Sequence, residues 1–261
     1  MTAVRLKGGY YEARSVIADL QACTNLYPEA NPANSPVPYS TATVPFTDYP
    51  TPGLRTLATL AAQGPARGLY AATNGDLYYA AGSTLYYVAP GWTVTAIGSL
   101  ASSGATPVSM QDNGTDLLVG DGTSNSYSVT LATRAFSAAP IADYFGASTL
   151  AALDTYIVGK MPGASSFFSS DSNALTFDPL WIANKVGSPD PLVAVAVARR
   201  EIWLIGTTTT EIWFNAGAAD FPFQLMTGPF IQHGTNAPRS VDILAVEERN
   251  RREYRATRAR I

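Results

Sequence analysis

From residue 67 onward, apolar and polar positions alternate in short runs that glycine, asparagine and aspartate keep interrupting. Residues 67–72, 77–81 and 85–88 read as three strands joined at Asn74-Gly75 and Gly82-Ser83. Asn-Gly is a strong hairpin signal because both residues tolerate positive φ. The pattern returns at 107–110, 117–120 and 127–130 around Asn113-Gly114 and Asp121-Gly122, again at 150–159 and 166–169, and a fourth time at 192–197, 202–206 and 210–214. Aligning Leu77, Leu117, Tyr156 and Ile202 as one middle-strand position gives spacings of 40, 39 and 46 residues. Four-stranded propeller blades repeat at about 40–45 residues. The longer third spacing places a loop-like stretch at 171–191, where Pro179, Pro189 and Pro191 stand. Helical periodicity is scarce in residues 60–240. The fold class expected is all-β, with β-propeller-like repeats and about four blades visible. A β-sandwich, which also uses short strands at regular spacing, is the competing architecture.

Ahead of the repeats the pattern changes. Seven prolines, at 28, 32, 36, 38, 45, 50 and 52, punctuate the first 60 residues. Proline fixes its own φ and biases its predecessor toward extended geometry. This segment reads as an extended arm that gains order by lying on something else. The far end changes again. Residues 1–241 carry 27 charges, whereas residues 242–261 carry 10, six of them arginines. Three pieces follow: an arm (1–60), a propeller that is either complete or incomplete (61–241), and a charged tail, helical or disordered (242–261).

Composition narrows the function classes. The chain has 261 residues, 14% charged and 46% hydrophobic, with a formal net charge of −3. That is enough apolar material for a core, and too little charge for a disordered chain. The longest apolar run is seven residues, against about 18 for a membrane helix. One cysteine, Cys23, excludes an intramolecular disulfide, and one histidine, His233, removes most metal centres and triads. No nucleophile elbow, phosphate loop or paired-histidine zinc motif occurs. Gly120-Asp121-Gly122 reads as a turn. Asp112-Asn113-Gly114-Thr115-Asp116 has acidic spacing but lacks the terminal glutamate of a calcium loop, and reads as a hairpin turn. Asn113-Gly114-Thr115 is also a glycosylation sequon without a secretory signal. Asp19, Glu29, Asp48 and Asp154 read as solvated carboxylates, and Arg199-Arg200 as a solvated hairpin tip. Tyr78-Tyr79 and Tyr86-Tyr87 alternate strand faces, so one of each pair, like Trp203 and Trp213, reads as core. No catalytic, cofactor or metal residue is assigned.

The order of several short motifs resembles a known family. A Gly-Tyr-Tyr opening precedes Asn25-Leu26-Tyr27-Pro28-Glu29, then Pro52-Gly53-Leu54, Arg67-Gly68-Leu69-Tyr70, Ser188-Pro189-Asp190-Pro191-Leu192 and Thr210-Glu211-Ile212-Trp213-Phe214. This series is similar to the packaged-DNA stabilisation protein, or tail hub, of short-tailed bacteriophages. The resemblance implies a non-enzymatic virion protein, made in the host cytoplasm, that forms a ring, a hexamer in that family. The ring sits below the portal and its adaptor, contacts the tail needle, extends the channel for double-stranded DNA, and helps retain the genome. It involves no membrane and no cofactor. The resemblance gives Asn25, Leu26, Tyr27, Pro28, Glu29, Pro52, Gly53 and Leu54 structural or assembly roles. Members of that family are longer, and the charge jump after Val241 is what out-of-frame translation of a GC-rich gene produces. A truncated or frame-disrupted member is therefore expected. Two other functions fit the residues alone: a carbohydrate- or receptor-binding propeller, suggested by the aromatics, and a propeller hydrolase or lyase with carboxylates converging on the axis.

Overall fold

The computed structural model describes residues 26–30, 46–50, 55–61, 64–238 and 240–241. The chain divides into two units, Met1–Leu57 and Ala58–Ile261. In the first, β1 (Leu26–Ala30) pairs antiparallel with β2 (Phe46–Pro50), Tyr27 opposite Tyr49. The tail from residue 242 lies outside the described residues, as do Asn25, Pro52, Gly53 and Leu54.

The second unit carries four sheets of four strands, each a simple antiparallel meander. Blade A holds β3 (Ala66–Ala71), β4 (Leu77–Ala81), β5 (Thr84–Val88) and β6 (Val94–Ser99). Blade B holds β7 (Ser109–Asp112), β8 (Asp116–Gly120), β9 (Tyr127–Thr130) and β10 (Ala135–Ser137). Blade C holds β11 (Thr149–Leu153), β12 (Tyr156–Lys160), β13 (Ser166–Ser170) and β14 (Phe177–Asn184). Blade D holds β15 (Leu192–Ala198), β16 (Glu201–Gly206), β17 (Thr210–Asn215) and β18 (Phe223–Ile231). The first strands β3, β7, β11 and β15 neighbour one another in sequence order, so they form the inner layer of a β-propeller. Among the described residues there is no helix.

Alternation dictates how the blades stack. In β4 Tyr78 and Ala80 point into the A–B interface, where they meet Val108, Leu117, Val119 and Val129 of blade B. Leu118, Leu150, Ile157 and Phe168 fill the B–C interface, and Val158, Phe167, Ile202, Leu204 and Trp213 the C–D interface. Each middle blade is thus apolar on both faces, which explains runs such as Leu117-Leu118-Val119 with no polar alternation. Two glycines make room for rings. A β-carbon on Gly98 would stand 2.3 Å from the Phe136 ring, and one on Gly159 2.5 Å from Phe168.

The structure corrects two details of the sequence reading. By face, the equivalent second-strand positions are Leu77, Leu117, Ile157 and Ile202, spaced 40, 40 and 45 residues, so Tyr156 is the position that moves, by one residue. Leu117, Ile157 and Ile202 each face the preceding blade and are fully buried, whereas Tyr156 packs toward the following one. The stretch at 171–191 also contains β14, which departs from regular pairing. Phe168 pairs with Ile182 but Ser170 with Phe177, so residues 178–181, including Pro179, bulge from the sheet edge.

Candidate functional site

The inner layer forms a groove of about 410 Å³. Ser109 and Gln111 of β7, residues 149–152 of β11 and 194–197 of β15 line it, with Pro238 and Val241 at one side. These linings are small, apolar or neutral. No carboxylate, imidazole or amine is among them, so the groove walls supply no acid–base pair. Two of its hydroxyls are committed to holding the blades together. Ser109 Oγ accepts the amide of Leu150 at 2.9 Å, and Thr149 Oγ1 that of Val195 at 3.1 Å.

The buried charges lie at blade junctions. Arg67, 4% exposed, donates to the carbonyls of Thr106, Gly82 and Ser102 and to the Ser102 hydroxyl at 2.6–2.8 Å. It thereby ties β3 to the A–B linker. At the C–D junction the Lys185 ammonium, its side chain fully buried, pairs with Asp190. Asp190 also accepts the Thr209 hydroxyl and the amides of Thr208 and Thr209. Burial disfavours the Asp190 charge. The lysine, hydroxyl and amide donors outweigh it and hold the carboxyl well below the usual range. Glu211, 1% exposed, accepts from the amides of Val186 and Gly187 and from Trp213 Nε1, and so fixes the same linker. Lys160 is buried, which lowers its pKa, and donates to the Met161 carbonyl at 2.9 Å.

The hairpin turns at the opposite end carry exposed ion pairs. Arg134 meets Asp76 at 3.0 Å and lies over the Tyr87 ring, and Arg200 meets Asp154 at 2.8 Å. Arg199 and Arg200 both have positive φ, 54° and 62°, which makes them the centre of a tight hairpin. Asp154 also accepts from Asn215. Asp112, 2% exposed, accepts from Tyr70, from the Thr73 amide and hydroxyl, and from Gly114. Burial and this carboxylate push the Tyr70 hydroxyl up to about 12, against the opposing backbone contact with Asp112.

The residues singled out by sequence therefore scatter. Leu26, Tyr27, Pro28 and Glu29 sit in β1, with Glu29 opposite Thr47 and Pro28 opposite Asp48. Asp121 closes its own turn on Thr123. The carbonyl of His233 accepts the Thr210 hydroxyl. Tyr78 is buried and Tyr79 half-buried, but Tyr86 and Tyr87 are both buried, because the second face of β5 is covered as well. Trp213 is buried and Trp203 half-buried. Among the described residues no group of three His, Cys, Asp or Glu side chains converges as a metal site. The junction contacts of Arg67, Ser109, Thr149 and Glu211 were not legible in the sequence, although Arg67 and Glu211 stand in the motifs that carry the family resemblance. For Ser109 and Thr149 the signal was a hydroxyl recurring 40 residues apart, at the head of β7 and of β11.

Residues 27–245 match the model of a protein family of phage stabilisation, described as "Bacteriophage P22 Gp10, beta-propeller". No curated protein matches the chain. Among solved structures, a virginiamycin B lyase from Staphylococcus aureus is similar at 11% identity and a TM-score of 0.46, over 78% of this chain and 64% of that one. The WD40 domain of Pan2 from Neurospora crassa is similar at 13% identity and a TM-score of 0.42, over 57% and 48%. A chain of a mitotic checkpoint complex is similar at 14% identity and a TM-score of 0.44, over 62% and 51%. In all three the match spans less than two thirds of the other chain.

Proposed function

The chain belongs to the phage-stabilisation family of bacteriophage P22 Gp10 β-propellers, and from that premise we propose that it is a structural component of the phage tail. In this reading it assembles with copies of itself into a ring below the portal and its adaptor, extends the channel through which double-stranded DNA passes, and helps retain the packaged genome. The tail needle is its expected partner on the far side.

The observation that carries the reading is the extent of the family match, which runs from β1 through all four blades. The disposition of charge supports it. Arg67, Arg134, Lys185 and Arg200 are engaged by carbonyls or carboxylates of the protein itself. Each phosphate that a basic side chain neutralises adds affinity by releasing counterions. With these four engaged internally, fewer cations are left to grip phosphate. The aromatics give no comparable support to a sugar platform, because Tyr78, Tyr86, Tyr87 and Trp213 are buried between or within blades.

Co-sedimentation with the purified cognate portal–adaptor complex tests the assignment. The chain is expected to co-sediment in a fixed ratio, as a ring of copies. Persistent sedimentation as a free monomer overturns the reading.

A further inference from the structure

The two Asn-Gly hairpins share a sequence but not a chemical setting. In the β7–β8 turn, the Gly114 amide, at φ 89°, donates to Asp112 Oδ1 at 2.9 Å. The Asn113 side-chain oxygen accepts from the amides of Thr115 at 3.0 Å and Asp116 at 2.8 Å. Asn113 Nδ2 is buried and has no hydrogen-bond partner. A nitrogen nucleophile with a carboxylate on its proton, a carbonyl polarised by two amides, and an unrestrained leaving amine are thus gathered in one turn. We propose that Asn113 is a site of self-catalysed succinimide formation, with Asp112 as the general base.

The step balances within the turn and one solvent water. Asp112 takes the Gly114 amide proton, and that nitrogen forms a bond to Asn113 Cγ. The charge that develops on Oδ1 is met by the amides of Thr115 and Asp116, as in an oxyanion hole. The Cγ–Nδ2 bond then breaks, the proton held by Asp112 goes to the departing nitrogen, and ammonia leaves. Water opens the imide at either carbonyl, giving aspartate or isoaspartate at position 113. Tyr70 and the Thr73 amide and hydroxyl hold Asp112 in place at 2.7–2.9 Å. The product carboxylate stands next to Asp112, so the reaction adds a like charge where blade A is tied to blade B.

Asn74-Gly75 supplies the internal control. Its glycine amide donates to the Ala72 carbonyl at 2.9 Å, which is no base. The Asn74 oxygen accepts one amide, from Asp76, and its nitrogen is held by the Asp76 carboxylate at 3.0 Å. Asn74 is also the more exposed of the two, so accessibility alone predicts the opposite order.

The test is peptide mass mapping of the full-length protein aged in mildly alkaline buffer, with the isoaspartate branch read by electron-transfer fragmentation. In the folded protein Asn113 is expected to convert about tenfold or more faster than Asn74, within the range of general-base catalysis. In urea the two should convert at the same rate, and this comparison needs no variant. Asp112→Asn, where it folds, should slow Asn113 and leave Asn74 unchanged. Conversion of Asn113 no faster than Asn74 in the folded protein overturns the proposal, as does a folded Asp112→Asn protein in which Asn113 converts at the original rate.

Discussion

Thr149 Oγ1 accepts the amide hydrogen of Val195 at 3.1 Å, linking the inner strand of blade C to that of blade D across 46 residues of sequence. The same link recurs one blade earlier, from Leu150 to Ser109 at 2.9 Å. An inner strand has ladder partners on one edge only. A hydroxyl from the preceding blade supplies an acceptor for the other edge. Val195 is buried, so Thr149→Val leaves an unpaired amide at nearly constant side-chain volume. The expected cost is about 1–3 kcal/mol, measured by urea denaturation, with retained amide protection in blade A.

The C–D junction should make the fold sensitive to acid. The native state holds the Asp190 carboxyl below its ordinary value through Lys185, Thr208 and Thr209, after burial has opposed its charge. A depressed carboxylate stabilises the fold above the unfolded value, near 3.8. That contribution is lost as pH falls toward the folded value. Denaturation midpoints should therefore decline below about pH 4. Asp190→Asn should flatten that decline and cost about 3 kcal/mol at neutral pH, because the buried Lys185 ammonium loses its counter-charge.

Arg67 holds β3 to the A–B linker through the carbonyls of Ser102 and Thr106 and the Ser102 hydroxyl, and to the β4–β5 turn through the Gly82 carbonyl. Arg67→Met preserves much of the aliphatic stem and removes every donor. A loss of about 3 kcal/mol is expected from the carbonyls left without donors. By hydrogen exchange the loosening should centre on residues 100–108.

Gly98→Ala should destabilise by about 1–3 kcal/mol, since its new methyl meets the Phe136 ring across the A–B interface. Phe136→Ala on its own opens a hole at that place. The double variant should be more stable than the sum of the two losses predicts, because each change relieves the other. Additive losses in thermal melts would contradict the contact.

How far the sequence could be read depended on the strand. The inner three strands of each blade were legible because their apolar runs are bounded by turn residues such as Gly75, Gly82 and Gly114, which adopt φ of 86°, 54° and 89°. The fourth strands were not. β10 has only three residues, too few for an alternation to register. In β14 and β18, four-residue bulges at 178–181 and 226–229 break the pattern opposite a single residue of the neighbouring strand. The junctions were hidden for another reason. Asp190 in a proline-rich stretch and Glu211 between a threonine and an isoleucine look like surface carboxylates until the next blade is placed over them. Beside Lys185, five residues before it, Asp190 depends on Thr208 and Thr209, 18–19 residues away, and Glu211 on the amides of Val186 and Gly187, 24–25 residues away, which no local pattern records.

The central claim is assembly, and direct imaging tests it most sharply. Negative-stain microscopy of the full chain mixed with its cognate portal and adaptor should show a closed ring of added density below the adaptor, coaxial with the DNA channel. Portal–adaptor particles with no added ring, beside free copies of this chain that remain folded, would contradict the account.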